Sequence, residues 1–216
     1  MREGEPLVMW PWVAGQLGDI LHRIGEHLVL TGIAVVVGFV LSLIIGIFAL
    51  RRPGFYVATT WVAGVLYTIP SLALFALLIP LTGLSLLTAE IGLVSYTLLI
   101  LIRSVVTGIS SVPAEVREAA LGMGYTNNQL LWRVELPLAT AVILTGVRVA
   151  TVTIVGLTTV TALIGQGGLG FFILDGIQRF FSTPLIVGAA LSVALAVVLD
   201  GALLMLQRAL TPWARI

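Results

Sequence analysis

The sequence contains no cysteine and no lysine, so all 11 of its basic side chains are arginine. Without cysteine there is no disulfide, no thiolate nucleophile, no iron–sulfur cluster and no cysteine-ligated zinc. Without lysine, a Walker A phosphate loop and a Schiff base are both excluded. Charge of either sign is scarce: 10% of residues are charged, against about 25% in a typical soluble domain. Histidine occurs only as His22 and His27, near Asp19 and Glu26, which reads as a pair of titrating interfacial residues before it reads as a metal site. What fills the chain is apolar: 59% of its residues are hydrophobic and its mean hydropathy is +1.13. A water-soluble globule is excluded.

An apolar stretch of about 20 residues crosses the hydrocarbon core of a bilayer. Five regions qualify, at 28–50, 57–81, 88–109, 138–164 and 184–207. The expected fold is therefore an all-α integral membrane protein of about five spanning helices. Residues 1–27 form an external N-terminal segment, with Ile20–Glu26 lying along the outer surface, and residues 213–216 form a cytoplasmic tail. The first twelve residues, with Glu3, Glu5 and two prolines, do not read as a cleavable signal peptide. The stretch 171–181 is too short to span and carries Asp175 and Arg179, so it reads as a loop or a re-entrant hairpin.

Arginine placement sets the orientation. With the N-terminus outside, the inner segments hold Arg51, Arg52, Arg103, Arg117, Arg133, Arg208 and Arg215; the outer ones hold Arg2, Arg23 and Arg179. The C-terminus is then cytoplasmic. Trp10, Trp12 and Trp213 fit interfacial anchors. Two charges remain within spans, Arg148 and Asp200, at similar depth from the cytoplasmic end. An unpaired charge there is costly, so both are expected to face protein, either paired with each other or snorkelling separately.

Small residues recur every fourth position at Ala34, Gly38, Ser42 and Gly46, and again at Gly188, Ser192 and Ala196, which permits close helix packing in lipid. Pro70 interrupts the second span, where Thr68 and Ser71 can satisfy freed carbonyls. The threonines of the fourth span (140, 145, 151, 153, 158, 159 and 161) bond back to the preceding turn, with a few left to line a polar path. Tyr67, Phe75 and Tyr96 are core residues or aromatic faces for a cation. Gly165–Gly170 spells G-x-G-x-x-G, yet it follows a membrane helix and lacks the acidic residue some twenty positions on; it reads as a tight turn.

The long polar stretch between spans is Ser110 to Pro137. Ser111 and Pro113 can start a helix, with Glu115 and Glu118 in its N-terminal half and Gly122 and Gly124 to end it. Thr126-Asn127-Asn128-Gln129 reads as a capping box that opens a second helix, and Pro137 as a break before the next span. This is a structured helix–turn–helix suited to docking a partner.

Within that stretch, Glu118-Ala119-Ala120, Gly124, Val134, Leu136 and Pro137 match the pattern E-A-A-x3-G-x9-I-x-L-P, with Val134 for isoleucine. The chain here resembles the permease subunits of binding-protein-dependent ABC importers. Segments such as Thr68–Leu74, Gly146–Arg148 and Ala162–Gly170 are similar to the osmoprotectant branch, although Gln166 and Ser104 stand where that branch commonly has a small residue and asparagine. The resemblance covers roughly 28–212, with 111–137 as the coupling loop. It implies a type I importer in a bacterial cytoplasmic membrane, in which two permease subunits form the path. Two ATPases bind the coupling loops through Glu118, Ala119, Ala120, Gly124, Leu136 and Pro137, and an external binding protein delivers glycine betaine, choline or carnitine. No cofactor or metal is implied, and the chain itself is not an enzyme. An importer of methionine or another amino acid on the same architecture is the alternative. An intramembrane enzyme or a non-transporting scaffold are more distant ones.

Overall fold

The structure, a computed structural model, describes residues 7–214. Arg2, Glu3, Glu5 and Arg215, which entered the reading above, lie outside the described residues, as does the end of the 213–216 tail.

Every regular element among the described residues is helical. A short α1 (Trp10–Gly15) leads into α2 (Leu17–Leu50), a single helix of 34 residues. At 1.5 Å per residue it is about 50 Å long, well beyond the roughly 30 Å of hydrocarbon it must cross. Ile20–Glu26 is therefore not a separate surface segment. No proline interrupts the run, and those residues form the first turns of the spanning helix itself.

The second span is the larger departure. It divides into α3 (Pro53–Thr68) and α4 (Ser71–Thr82), bent by 100° between them. Pro70 has no amide to donate and forces Ile69 into an extended conformation, ψ 126°. Thr68 meets the Val65 carbonyl at 2.8 Å, as its position suggested. The Ile69 carbonyl is met from another helix, by the Tyr96 hydroxyl. That helix is α5 (Leu86–Ser110), capped by Ser85. Then follow α6 (Ala114–Gly122), α7 (Asn127–Leu130), α8 (Leu136–Thr158), α9 (Gly170–Gln178) and α10 (Ser182–Leu210). Among the described residues, four stretches are long and apolar enough to cross a membrane, five if the bent pair counts as one.

The centre of the bundle is α2 against α5 and α5 against α8, with α10 packed on α8 and α9. These helices approach at glycines. A Cβ on Gly38 would fall 1.8 Å from Thr97 Oγ1, one on Gly46 2.6 Å from Val105 Cγ1, and one on Gly146 2.0 Å from Ser104 Oγ. The whole Ala34–Gly46 ladder is buried against this contact. In α10, Gly188 and Ser192 are buried, while Ala196 is only half-buried. All seven hydroxyls of the fourth span bond back to preceding carbonyls, for example Thr151 to Val147 at 2.8 Å. Phe75 is fully buried over Gly92, and Tyr67 stacks edge-on to Tyr96.

Glu90 of α5 is a further charged residue inside a span; it lies within the 88–109 stretch, and the sequence reading passed over it. It is 9% exposed, and neither carboxylate oxygen has a hydrogen-bond partner among the described residues. Orphaned buried oxygens cost about 1–3 kcal/mol, so Glu90→Met should raise the melting midpoint of the detergent-purified protein. A lower midpoint would show that the carboxylate is satisfied by a neighbour in the assembled state.

Candidate functional site

The segment between α5 and α8 is built by local chemistry. Val112 is buried, and Pro113 rather than Ser111 occupies the N-cap of α6. Ser111 instead bonds back to Gly108 at 2.7 Å, closing α5. At the other end of α6, Gly124 adopts φ 87°, which L side chains rarely enter. Its amide meets the Leu121 carbonyl at 2.9 Å, and the Tyr125 amide meets Ala120 at 3.2 Å. This pair of bonds is a Schellman motif. The capping box at Thr126 and Gln129 forms as read.

Pro137, however, does not break the chain. A widened π turn, Leu131–Glu135, joins α7 directly to α8, and Pro137 falls at the start of α8. Pro137 cannot donate to the Arg133 carbonyl four residues back, and a wide turn is one way a helix absorbs that loss. The second arm of the segment is thus the continuous end of a spanning helix.

Of the six motif residues, Glu118, Ala119 and Gly124 are exposed, Ala120 is buried beneath α6, and Leu136 and Pro137 lie in the helix beyond. The exposed face of α6 also carries Val116, Leu121 and Met123. Arg117, one residue before Glu118, turns inward: it donates to the Ile109 carbonyl at 2.6 Å and lies 3.0 Å from Glu135. This brace ties α6 to α5 and to the π turn. Sequence reading missed it, because residues eighteen positions apart carry no periodic signal.

Within the bundle, Arg148 and Asp200 do meet. Nε and Nη2 each donate to one carboxylate oxygen at 2.8 Å, a two-pronged contact between α8 and α10. Gln207, about two turns further along α10, approaches Arg148 Nη1 at 3.4 Å and donates to the Ala141 carbonyl and Thr145 hydroxyl, each at 3.0 Å.

This architecture has known counterparts. Residues 38–212 match the family described as binding-protein-dependent transport system inner membrane component. The chain belongs to that family. It is 34% identical over 195 residues to the glycine betaine/carnitine/choline transport system permease protein OpuCB of Bacillus subtilis, covering 90% of each chain. It is 38% identical over 204 residues to the osmoprotectant import permease protein OsmW of Salmonella typhimurium, covering 92% of this chain and 94% of OsmW. A solved structure of the MetNI methionine ABC transporter in inward-facing conformations shares the fold, with a TM-score of 0.82 over 91% of this chain and 98% of that one at 24% identity. The protein is thus a multi-pass inner-membrane permease subunit of an ABC importer, with ATP hydrolysis carried by separate subunits.

In this permease the glycine-rich turn after α8 is a docking element. Gly165 and Gly168 take φ 76° and 80°, and a Cβ on Gly167 would fall 2.0 Å from Glu26 Oε2. Glu26 accepts from the Gly168 amide at 3.0 Å and is paired with Arg23 and His22. His27 is fully buried, its Nε2 at 3.0 Å from the Val155 carbonyl while Nδ1 accepts from the Leu169 amide at 3.2 Å. With Nε2–H donating and Nδ1 accepting, the ring is neutral, so His27 is a structural clamp and not the titrating surface residue its sequence position suggested. Trp12 packs edge-on against Phe172 and Phe181, whereas Trp10 and Trp213 are exposed.

The Arg148–Asp200 contact yields a test. Arg148→Ala and Asp200→Ala should each lower the yield of folded permease, because each strands a charge within the bundle. The double variant should lose less than the sum of the two, measured by size-exclusion recovery; additive losses would show that the two charges are stabilised independently.

Proposed function

We propose that this chain is the permease subunit of an ATP-driven importer for a quaternary-ammonium osmoprotectant such as glycine betaine, choline or carnitine. The observation that carries this reading is near-full-length similarity to permeases whose own names specify that cargo class. Two cytoplasmic ATPases, a second permease subunit of the same or similar kind, and an external binding protein complete the assembly. Arginine distribution favours a C-terminus on the cytoplasmic side, with the coupling segment on that same face.

The ATPase contact is assigned to the exposed side of α6, through Glu118 and Ala119, with Ala120 and Gly124 shaping the helix and its turn. Two features support it. The apolar Val116, Leu121 and Met123 flank Glu118 and are left open to solvent, and the Schellman turn leads into an unbroken helix that enters the membrane. Closure of the ATPases then moves α8 as a lever, a rigid-body displacement of packed helices. The likeness to the methionine transporter speaks for the fold only, so amino-acid import is the reading that a cargo assay must reject.

Glu118→Lys, or Gly124→Trp at its left-handed φ, should leave the permease inserted while co-purification of the ATPase falls about tenfold or more, the equivalent of about 1.4 kcal/mol. Undiminished recovery with both variants would remove α6 from the interface. Cells lacking other osmoprotectant systems and supplied with the complete importer should accumulate radiolabelled glycine betaine, choline or carnitine. Methionine uptake with none of these would reassign the cargo.

A further inference from the structure

At the membrane end bearing the coupling segment, an apolar groove of about 510 Å³ runs between α2, the start of α3 and the π turn. Its walls are Leu43, Ile44, Phe48, Phe55, Leu131 and Trp132. Ile44, Phe48 and Trp132 are all substantially exposed, Ile44 by 62%. Arg51 stands at the rim, and its guanidinium has no hydrogen-bond or ion-pair partner among the described residues. Arg52 lies beside it with its guanidinium 4.8 Å above the Phe48 ring, leaving its N–H donors open. The nearby carboxylate, Glu135, is already engaged by Arg117.

We propose that this groove binds one anionic phospholipid, its acyl chain laid along α2 and its headgroup phosphate held by Arg51 and Arg52. Charge and shape both select this occupant. The trough is apolar along the membrane-spanning helix, and two cations without acidic partners stand where that helix ends. Trp132 marks the same level, since tryptophan settles at the hydrocarbon–water boundary. A zwitterionic lipid would fill the trough but bring its own cation to the arginines. Because the groove joins α2 to the π turn, the bound lipid would bridge the bundle and the coupling segment. The site itself does not depend on the cargo; only its assignment to the cytoplasmic leaflet rests on the orientation proposed above.

The test is native mass spectrometry of the complete importer, purified with its ATPases and equilibrated with equimolar phosphatidylglycerol and phosphatidylcholine. Phosphatidylglycerol should be retained preferentially, and Arg51→Gln and Arg52→Gln should each lower its retention about fivefold, as expected for one arginine at a charged lipid surface. Ile44→Trp, which fills the trough but keeps both cations, should lower retention of both lipids. Arg179→Gln, at the opposite face, should change nothing. Equal retention of the two lipids by the unmodified complex, or arginine variants indistinguishable from Arg179→Gln, would overturn the proposal. Lipid retention is read without transport, so a failed cargo assignment leaves this test intact.

Discussion

Close approach of α2, α5 and α8 is the constraint on which the rest of this structure depends. In lipid there is no hydrophobic gain from bringing two apolar helices together, so contact must come from interlocking shape. Here the shape is supplied by absent side chains. Gly38 receives Thr97, Gly46 receives Val105 and Gly146 receives Ser104, at distances that leave no room for a methyl group. With the helices this near, Thr31 and Thr158 come within 3.3 Å, and the His27 ring spans from α2 to the α8 carbonyl of Val155. With these contacts in place, α2, α5 and α8 pack as one unit.

The two ends of α8 are held by different devices. At one end the helix passes without interruption through a π turn into α7, and the Arg117–Glu135 pair fixes α6 against it. At the other end, a glycine-rich turn is clamped onto α2 through main-chain amides accepted by Glu26 and His27. Between them the Arg148–Asp200 pair joins α8 to α10 partway along the helix. α8 is thus braced at both ends and along its length, against α6, α2 and α10.

Much of this was legible in the sequence, and for definable reasons. Hydropathy accumulates over consecutive residues, so the apolar runs located the third and fifth spans to within a few positions, while the first helix begins eleven residues earlier than its apolar run. The helix, glycine turn and capping box between α5 and α8 were readable because caps and turns act over a few residues. Back-bonding of the threonines is equally local. The break at Pro70 was visible for the same reason, although its 100° angle was not, because the angle is set by how α4 packs on α5 through Phe75 and Gly92.

By itself, then, the sequence determined that this chain is a helical membrane protein with a structured polar segment between two of its spans. Only the tertiary structure decided that Pro137 continues a helix, that His27 is a neutral clamp, that Arg148 and Asp200 find each other, and that Glu90 is left without a donor. The reason is separation along the chain. Arg148 and Asp200 are 52 residues apart, and His27 and Leu169 are 142 apart. No pattern of neighbours announces such partners. They are brought within hydrogen-bonding distance by glycines elsewhere, which let the helices that carry them pack.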